Sequence, residues 1–202
     1  FGHVAAAIYG THLGAHTEQE WRGFLEVWQA ADRLHGHVLD ALQAVGLPVM
    51  SFPPSATAAC ENGEIISLAH EPILHALNAG LLPVVLGDVA FDRQRGATIL
   101  STERVMGWLV DALSPRRILL AGDEEGVFAR FPLRDRPLER ISRLDLERLA
   151  LAESAGTDVT GGMAAKVRWG LNMIERRPDL EIRIFSAIRP GTLLGAIRGD
   201  EV

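Results

Sequence analysis

The chain has 202 residues, 48% of them hydrophobic, which is enough to bury a sizeable core and is most simply read as one domain. A formal charge of -6, with the arginines interspersed among Asp and Glu, leaves no basic stripe for nucleic acid and points to small-molecule partners. The single cysteine, Cys60, excludes an internal disulfide and a cysteine-cluster metal site and fits a reducing cytoplasm, and no apolar run reaches the roughly 18 to 20 residues of a membrane span.

The sequence opens on Phe1-Gly2-His3, followed by the small apolar run Val4 to Tyr9 that predicts the start of a helix. A histidine there either donates a hydrogen bond to an anion held at the helix start or is an ordinary surface imidazole. Over residues 18 to 45, Trp21, Phe24, Leu25, Trp28, Ala31, Leu34 and Val38 recur at the helical period and predict one buried face. Trp21, Phe24 and Trp28 in that stripe read either as core or as the wall of an apolar substrate pocket.

Four strands are predicted, at Leu47 to Phe52, Leu82 to Leu86, Arg117 to Leu120 and Ile182 to Phe185, because each is a short apolar run consistent with burial on both faces. Further helices are predicted at 71 to 80, 103 to 113, 163 to 176 and 191 to 198. This alternation implies an α/β fold with a parallel sheet flanked by helices on both sides, and in such folds ligands gather at the carboxyl ends of the strands. Two glycine-rich polar turns fall there, at Gly87-Asp88 and at Gly122-Asp123-Glu124-Glu125-Gly126. Asp123 either orients a lysine or holds a nucleotide-bound Mg²⁺ through its waters, or is a solvated turn residue. Asp88 is common turn chemistry and a weaker signal. Residues 129 to 143, rich in Arg, Pro and Asp, read as a surface excursion.

The only lysine in the chain, Lys166, ends the run Asp158-Val159-Thr160-Gly161-Gly162-Met163-Ala164-Ala165-Lys166. Arginine is a rigid, permanently charged fork, whereas lysine is a compact point charge that can follow a phosphoryl group as it moves. Two glycines let backbone N–H groups approach an anion, and a helix N-terminus carries partial positive charge. The combination suggests a phosphate site for phosphoryl transfer, although the run is not a Walker A motif; the bland alternative is a helix cap with a solvated lysine.

Taken together, Phe1-Gly2-His3, Pro83 to Val89, Gly96 to Ser101, Asp123 with Gly126-Val127, and Asp158 through Lys166 resemble isopentenyl phosphate kinases of the amino acid kinase superfamily. The Thr-Gly-Gly-Met segment marks only the superfamily, and the Phe-Gly-His segment narrows it, although fosfomycin kinases resemble it there too. The resemblance implies a three-layer αβα sandwich with a mainly parallel central sheet. It implies a single domain over 1–202, with an acceptor-binding part at about 1–113 and a nucleotide-binding part at about 114–202. It further implies transfer of the ATP γ-phosphoryl group to isopentenyl phosphate, Mg²⁺ accompanying the ATP, a cytoplasmic setting and a homodimer. Gly2, His3, Gly87, Ser101 and Thr102 then correspond to the acceptor-phosphate site, and Asp123, Thr160, Gly161, Gly162 and Lys166 to the ATP site, with His3 and Lys166 the catalytic pair.

Two departures from the family pattern bear on this. Ser101-Thr102-Glu103 stands where Ser-Gly-Asp is usual, so a β-branched residue replaces a glycine beside the expected acceptor phosphate. The family's opening strand with its Lys-x-Gly-Gly loop, and its closing strand, are missing from this sequence, which begins at Phe1 without a methionine. The sequence is therefore expected to start inside a longer protein and to be inactive on its own. A small-acid or phosphonate kinase like the fosfomycin kinases, and a non-catalytic nucleotide-binding relative, remain open alternatives.

Overall fold

The computed structural model describes residues 14–128, 136–147 and 162–200. The chain divides into two compact units, Phe1–Ser114 and Pro115–Val202.

The first unit begins with α1 (Glu18–Ala44), whose start is fixed locally by a capping box: Glu20 N–H donates to the Thr17 hydroxyl, and the Glu20 carboxylate accepts from the Thr17 and His16 amides. Those two backbone donors, the His16 amide first, lower the pKa of the Glu20 carboxyl. The helix is as long as its period predicts, but its buried face is rotated from the expected one. Gly23, Phe24, Val27, Ala30 and His35 are buried, whereas Leu25, Leu34 and Val38 are 50%, 43% and 42% exposed. The reason is the partner surface: Phe24 and Val27 pack on Val89 and Ala97 with Ala15, and Trp21 lies against the edge of that cluster. His35 ties the helix to the strand that follows, its Nε2 lying 2.7 Å from the Ser51 hydroxyl.

Strands β1 (Val49–Ser51) and β4 (Leu82–Val84) form a parallel pair, Val49 opposite Leu82 and Ser51 opposite Val84. Both are shorter than the apolar runs that predict them. Between them lie the short α2 (Pro54–Thr57), β2 (Ala58–Glu61), β3 (Glu64–Leu68) and α3 (Glu71–Asn78). After β4 come β5 (Asp88–Asp92), β6 (Gly96–Leu100) and α4 (Thr102–Leu113). A second, four-stranded sheet has the order β3-β2-β5-β6, antiparallel within its two hairpins and parallel where β2 meets β5. None of these four strands is among the four predicted from the sequence. Their apolar runs are at most three residues long and are broken by Asp, Glu, Ser or Thr, so their signal is weak. Their inward side chains form a core of Cys60, Leu68, Ala90 and Leu100 against Val105 of α4. Burial pushes the Cys60 thiol up to about 11, so it is a neutral packing group.

One carboxylate joins the two hairpin turns of this sheet. Asp92 accepts from the amides of Asn62 at 3.1 Å, Gly63 at 2.6 Å, Gln94 at 2.9 Å and Arg95 at 2.9 Å. Burial alone raises its pKa; the four backbone donors, from Arg95, Gly63, Gln94 and Asn62, together outweigh that and hold the carboxyl below its ordinary value. A carboxyl with a lower pKa folded than unfolded stabilises the fold above its unfolded value of about 3.9, and this stabilisation is lost as pH falls through the folded value. Acid titration followed by circular dichroism is therefore expected to show the wild type losing stability below roughly pH 4 more steeply than Asp92→Asn, whose side chain cannot titrate there.

The second unit is organised on a parallel pair, β7 (Arg117–Gly122) and β8 (Glu181–Ser186), in unbroken register from Arg117 opposite Glu181 to Gly122 opposite Ser186. Between them in sequence lies α5 (Gly162–Arg176), whose Ala164 and Val167 are buried with Val127 and Leu146. α5 lies on β8 at Gly170, where an added Cβ would meet the Ile182 side chain at 3.6 Å, an ordinary packing distance. The last helix, α6 (Thr192–Arg198), ends at Gly199 in a left-handed conformation, and the Arg117 guanidinium donates to the carbonyls of Ala196 and Ile197 in its last turn. No helix among the described residues is long and apolar enough to cross a membrane.

Candidate active site

Each unit presents a phosphate-suited feature at the carboxyl ends of its strands. In the first, the chain leaves β4, runs through Gly87 and turns into β5, passing directly beside the N-terminus of α4. A Cβ on Gly87 would lie 3.0 Å from both the amide nitrogen and the hydroxyl of Thr102 and 3.2 Å from the Leu100 carbonyl oxygen, so a side chain there would push the two segments apart by a few tenths of an ångström. Ser101 is the N-cap of α4, its hydroxyl accepting from the Arg104 amide at 3.3 Å. The amides of Thr102 and Glu103 have no acceptor among the described residues. The Thr102 amide and hydroxyl thus lie beside Gly87, at the positive end of a helix of twelve residues whose Glu103 amide is also open.

Thr102 in place of glycine does not strain this arrangement. Among the described non-glycine residues only Asn62 and Ser114 have a left-handed φ, so position 102 does not require glycine's conformational freedom. Asp88, beside it, is 3% exposed, and its carboxylate accepts from the amides of Ser55 at 3.0 Å and Val89 at 2.8 Å. That fixes the short α2 against the start of β5, a tighter role than turn chemistry suggests. The sequence reading also passed over Asp92. Its signal was the Asn62-Gly63 pair, typical of a two-residue hairpin, with the Asp92 to Gly96 turn the matching second hairpin.

In the second unit, Asp123 follows β7 directly and is exposed, its main-chain carbonyl accepting from the Ser186 hydroxyl at 3.2 Å. Its carboxylate has no hydrogen-bond or ion-pair partner among the described residues. Neighbouring Glu125 is paired with Arg189. Lys166 lies in the second turn of α5, exposed, with no carboxylate partner among the described residues. It borders a groove of about 1090 Å³ together with Glu125, Gly126, Val127, Val167 and Phe185, so the lysine and the residues that follow Asp123 open on one space, while Asp123 itself is not part of the lining. Gly162 is the first residue of α5; Thr160 and Gly161, like Gly2 and His3, lie outside the described residues. No cluster of three or more metal-ligating side chains occurs among the described residues.

Of the three aromatic residues read as a possible pocket wall, Phe24 is 5% exposed in the core and Trp28 is 36% exposed. Trp21 packs edge-on to Phe24 with ring centroids 5.3 Å apart, and both lie against Phe91 of β5, at 6.1 and 5.5 Å.

A model of the amino acid kinase family matches residues 1–186, reaching across both strand-end features. The chain belongs to the amino acid kinase family. Kinases of this family are phosphotransferases, so ATP is a substrate. The chain is 34% identical to an isopentenyl phosphate kinase of Methanothermobacter thermautotrophicus over all of its own length and 78% of that enzyme. It is 28% identical to an isopentenyl phosphate kinase of Methanocaldococcus jannaschii, again over all of its length and 76% of the relative. Among solved structures, an isopentenyl phosphate kinase at 30% identity superposes with a TM-score of 0.82, covering 100% of this chain and 77% of that one. A product complex of the T. acidophilum isopentenyl phosphate kinase, at 22% identity, shares the fold with a TM-score of 0.72, covering 96% of this chain and 74% of that one. The fold is thus the α/β fold of the amino acid kinases, with the hairpin sheet β3-β2-β5-β6 added to the parallel strand pairs expected from the sequence.

Proposed function

We propose that this kinase transfers the γ-phosphoryl group of ATP to isopentenyl phosphate, giving isopentenyl diphosphate. The observation that carries this reading is the 34% identity to an isopentenyl phosphate kinase over the whole chain, and the open amides at the start of α4 beside Gly87 supply a fitting monophosphate cradle. In this reading Gly87, Ser101 and Thr102 hold the acceptor phosphate from the backbone side, and His3 with Gly2 completes the site. Trp21 and Trp28, the two of the three aromatic residues of that stripe that keep some exposure, are candidates for contact with the apolar tail, while Phe24 is core. Lys166, at the head of α5 with Thr160, Gly161 and Gly162, faces the phosphates of ATP. Its ammonium offsets the charge that gathers on the phosphoryl oxygens between donor and acceptor.

Mg²⁺ binds chiefly through nucleotide phosphates and water in such sites, which suits a unit with an open carboxylate, Asp123, directly after β7 and no metal cluster among its described residues. The ion would neutralise phosphate charge. We place the reaction in the cytoplasm, where ATP is held, and take the working form to be a homodimer.

The deciding experiment is an ADP-release assay on the full-length protein with Mg-ATP and isopentenyl phosphate, dimethylallyl phosphate, fosfomycin, acetylglutamate or UMP. Preference for the isoprenoid monophosphates is the expected result. Turnover of fosfomycin or a polar acid instead would move the chain to a sister activity, and no turnover of any acceptor would favour a non-catalytic relative. Within this reading, Gly87→Ala should raise the KM for isopentenyl phosphate about three- to tenfold while the KM for ATP stays unchanged, because the added Cβ presses on the Thr102 amide.

A further inference from the structure

The Asp92 clamp is larger than two hairpin turns need. Its carboxylate fixes the Arg95 amide, and the carbonyl of the same residue accepts the Ala15 amide at 2.8 Å. The backbones meet there without room for a side chain: a Cβ on Gly14 would stand 2.5 Å from the Arg95 carbonyl oxygen, and one on Gly96 would collide with the carbonyl oxygen of Ala15. On its other side Asp92 fixes Gly63, whose carbonyl accepts from the guanidinium of Arg104; the same guanidinium pairs with Glu64 at 3.1 Å. Arg104 belongs to the first turn of α4, and its own amide is held by Ser101, beside the open amides of Thr102 and Glu103. One carboxylate, 5% exposed, therefore links Gly14–Ala15, just before α1, to the helix turn that carries the open amides of Thr102 and Glu103.

We propose that Asp92 is a positioning residue for the acceptor side of the reaction, setting Gly14–Ala15 and the first turn of α4 relative to one another. Asp92 touches no reacting atom; it acts through Arg95 on one side and through Gly63 and Arg104 on the other. The inference rests on the acceptor-phosphate reading of His3 and the α4 N-terminus. A buried carboxylate without a cation is costly unless hydrogen bonds repay it, and here four backbone donors do so. An amide at position 92 keeps the shape but turns one acceptor atom into a donor aimed at N–H groups.

The test is steady-state kinetics of the full-length protein and of Asp92→Asn and Arg104→Gln, varying isopentenyl phosphate and ATP separately, with hydrogen exchange read at the Ala15 amide. Asp92→Asn is expected to raise the acceptor KM about tenfold or more with the ATP KM changed less than twofold, and to speed exchange at Ala15. Arg104→Gln removes a half-exposed charge and keeps the core, so it serves if Asp92→Asn fails to fold; a several-fold rise in acceptor KM alone is expected of it. Equal changes in both KM values, or a fall in kcat alone, would reduce Asp92 to a general stabilising group and overturn the proposal. If the wild type does not turn over isopentenyl phosphate, the functional reading fails. The kinetics are then run with the acceptor it does use, and unchanged exchange at Ala15 in Asp92→Asn overturns the positioning role by itself.

Discussion

Replacing Lys166 with alanine is expected to lower kcat about 10²- to 10³-fold with little change in the KM for isopentenyl phosphate, the loss typical of removing one preorganised group that stabilises transition-state charge. Lys166 is the only lysine of the chain; it stands in the second turn of α5, exposed beside a groove, with no carboxylate neutralising it among the described residues. A phosphoryl group in flight spreads charge over its equatorial oxygens, and a mobile point charge can follow it. Lys166→Arg tests the mobility directly: it keeps the charge but replaces a flexible ammonium with a planar fork, and kcat should recover only in part. A variant that weakened ATP binding alone, with kcat intact, would assign the lysine to ground-state nucleotide binding. Single-turnover measurements at saturating ATP separate the two outcomes.

His3→Ala is expected to cost roughly 1.5 to 3 kcal/mol of acceptor-phosphate binding, the value of a charge-assisted hydrogen bond, and so about ten- to a hundredfold in kcat/KM for isopentenyl phosphate. In the proposed acceptor site the imidazole and the open helix amides would donate to different oxygens of the phosphate. The loss should therefore fall on the acceptor and spare the ATP KM, since Lys166 and Asp123 belong to the other unit of the chain. His3→Asn, which retains a donor, should lose less. An unchanged kcat/KM in His3→Ala would remove the histidine from the site and leave the cradle to Gly87 and α4.

Most of the helices were legible in the sequence. The Thr17 to Glu20 capping box, the Ser101 cap before α4 and the glycine after α6 mark ends within a few residues, and the elements Glu71–Asn78, Thr102–Leu113, Gly162–Arg176 and Thr192–Arg198 lie close to their predicted spans. Strands announced by continuous apolar runs, β1, β4, β7 and β8, were legible too. The strands β2, β3, β5 and β6 were not, because their apolar runs are at most three residues long and broken by polar residues, although the Asn62-Gly63 pair marks the first hairpin.

By itself the sequence determined where helices begin and end, which apolar runs become strands, though not their burial, since no residue of β1 or β4 is buried, and that a lone lysine stands at a helix head behind glycines. Only the tertiary structure decided which face of α1 is buried, because that depends on Val89 and Ala97 far along the chain. It also decided that Gly87 lies against the Thr102 amide and that one carboxylate, Asp92, gathers four donors from two turns. Close approach and the satisfaction of buried polar groups are properties of packed neighbours, and no local pattern encodes which distant segment the neighbour will be.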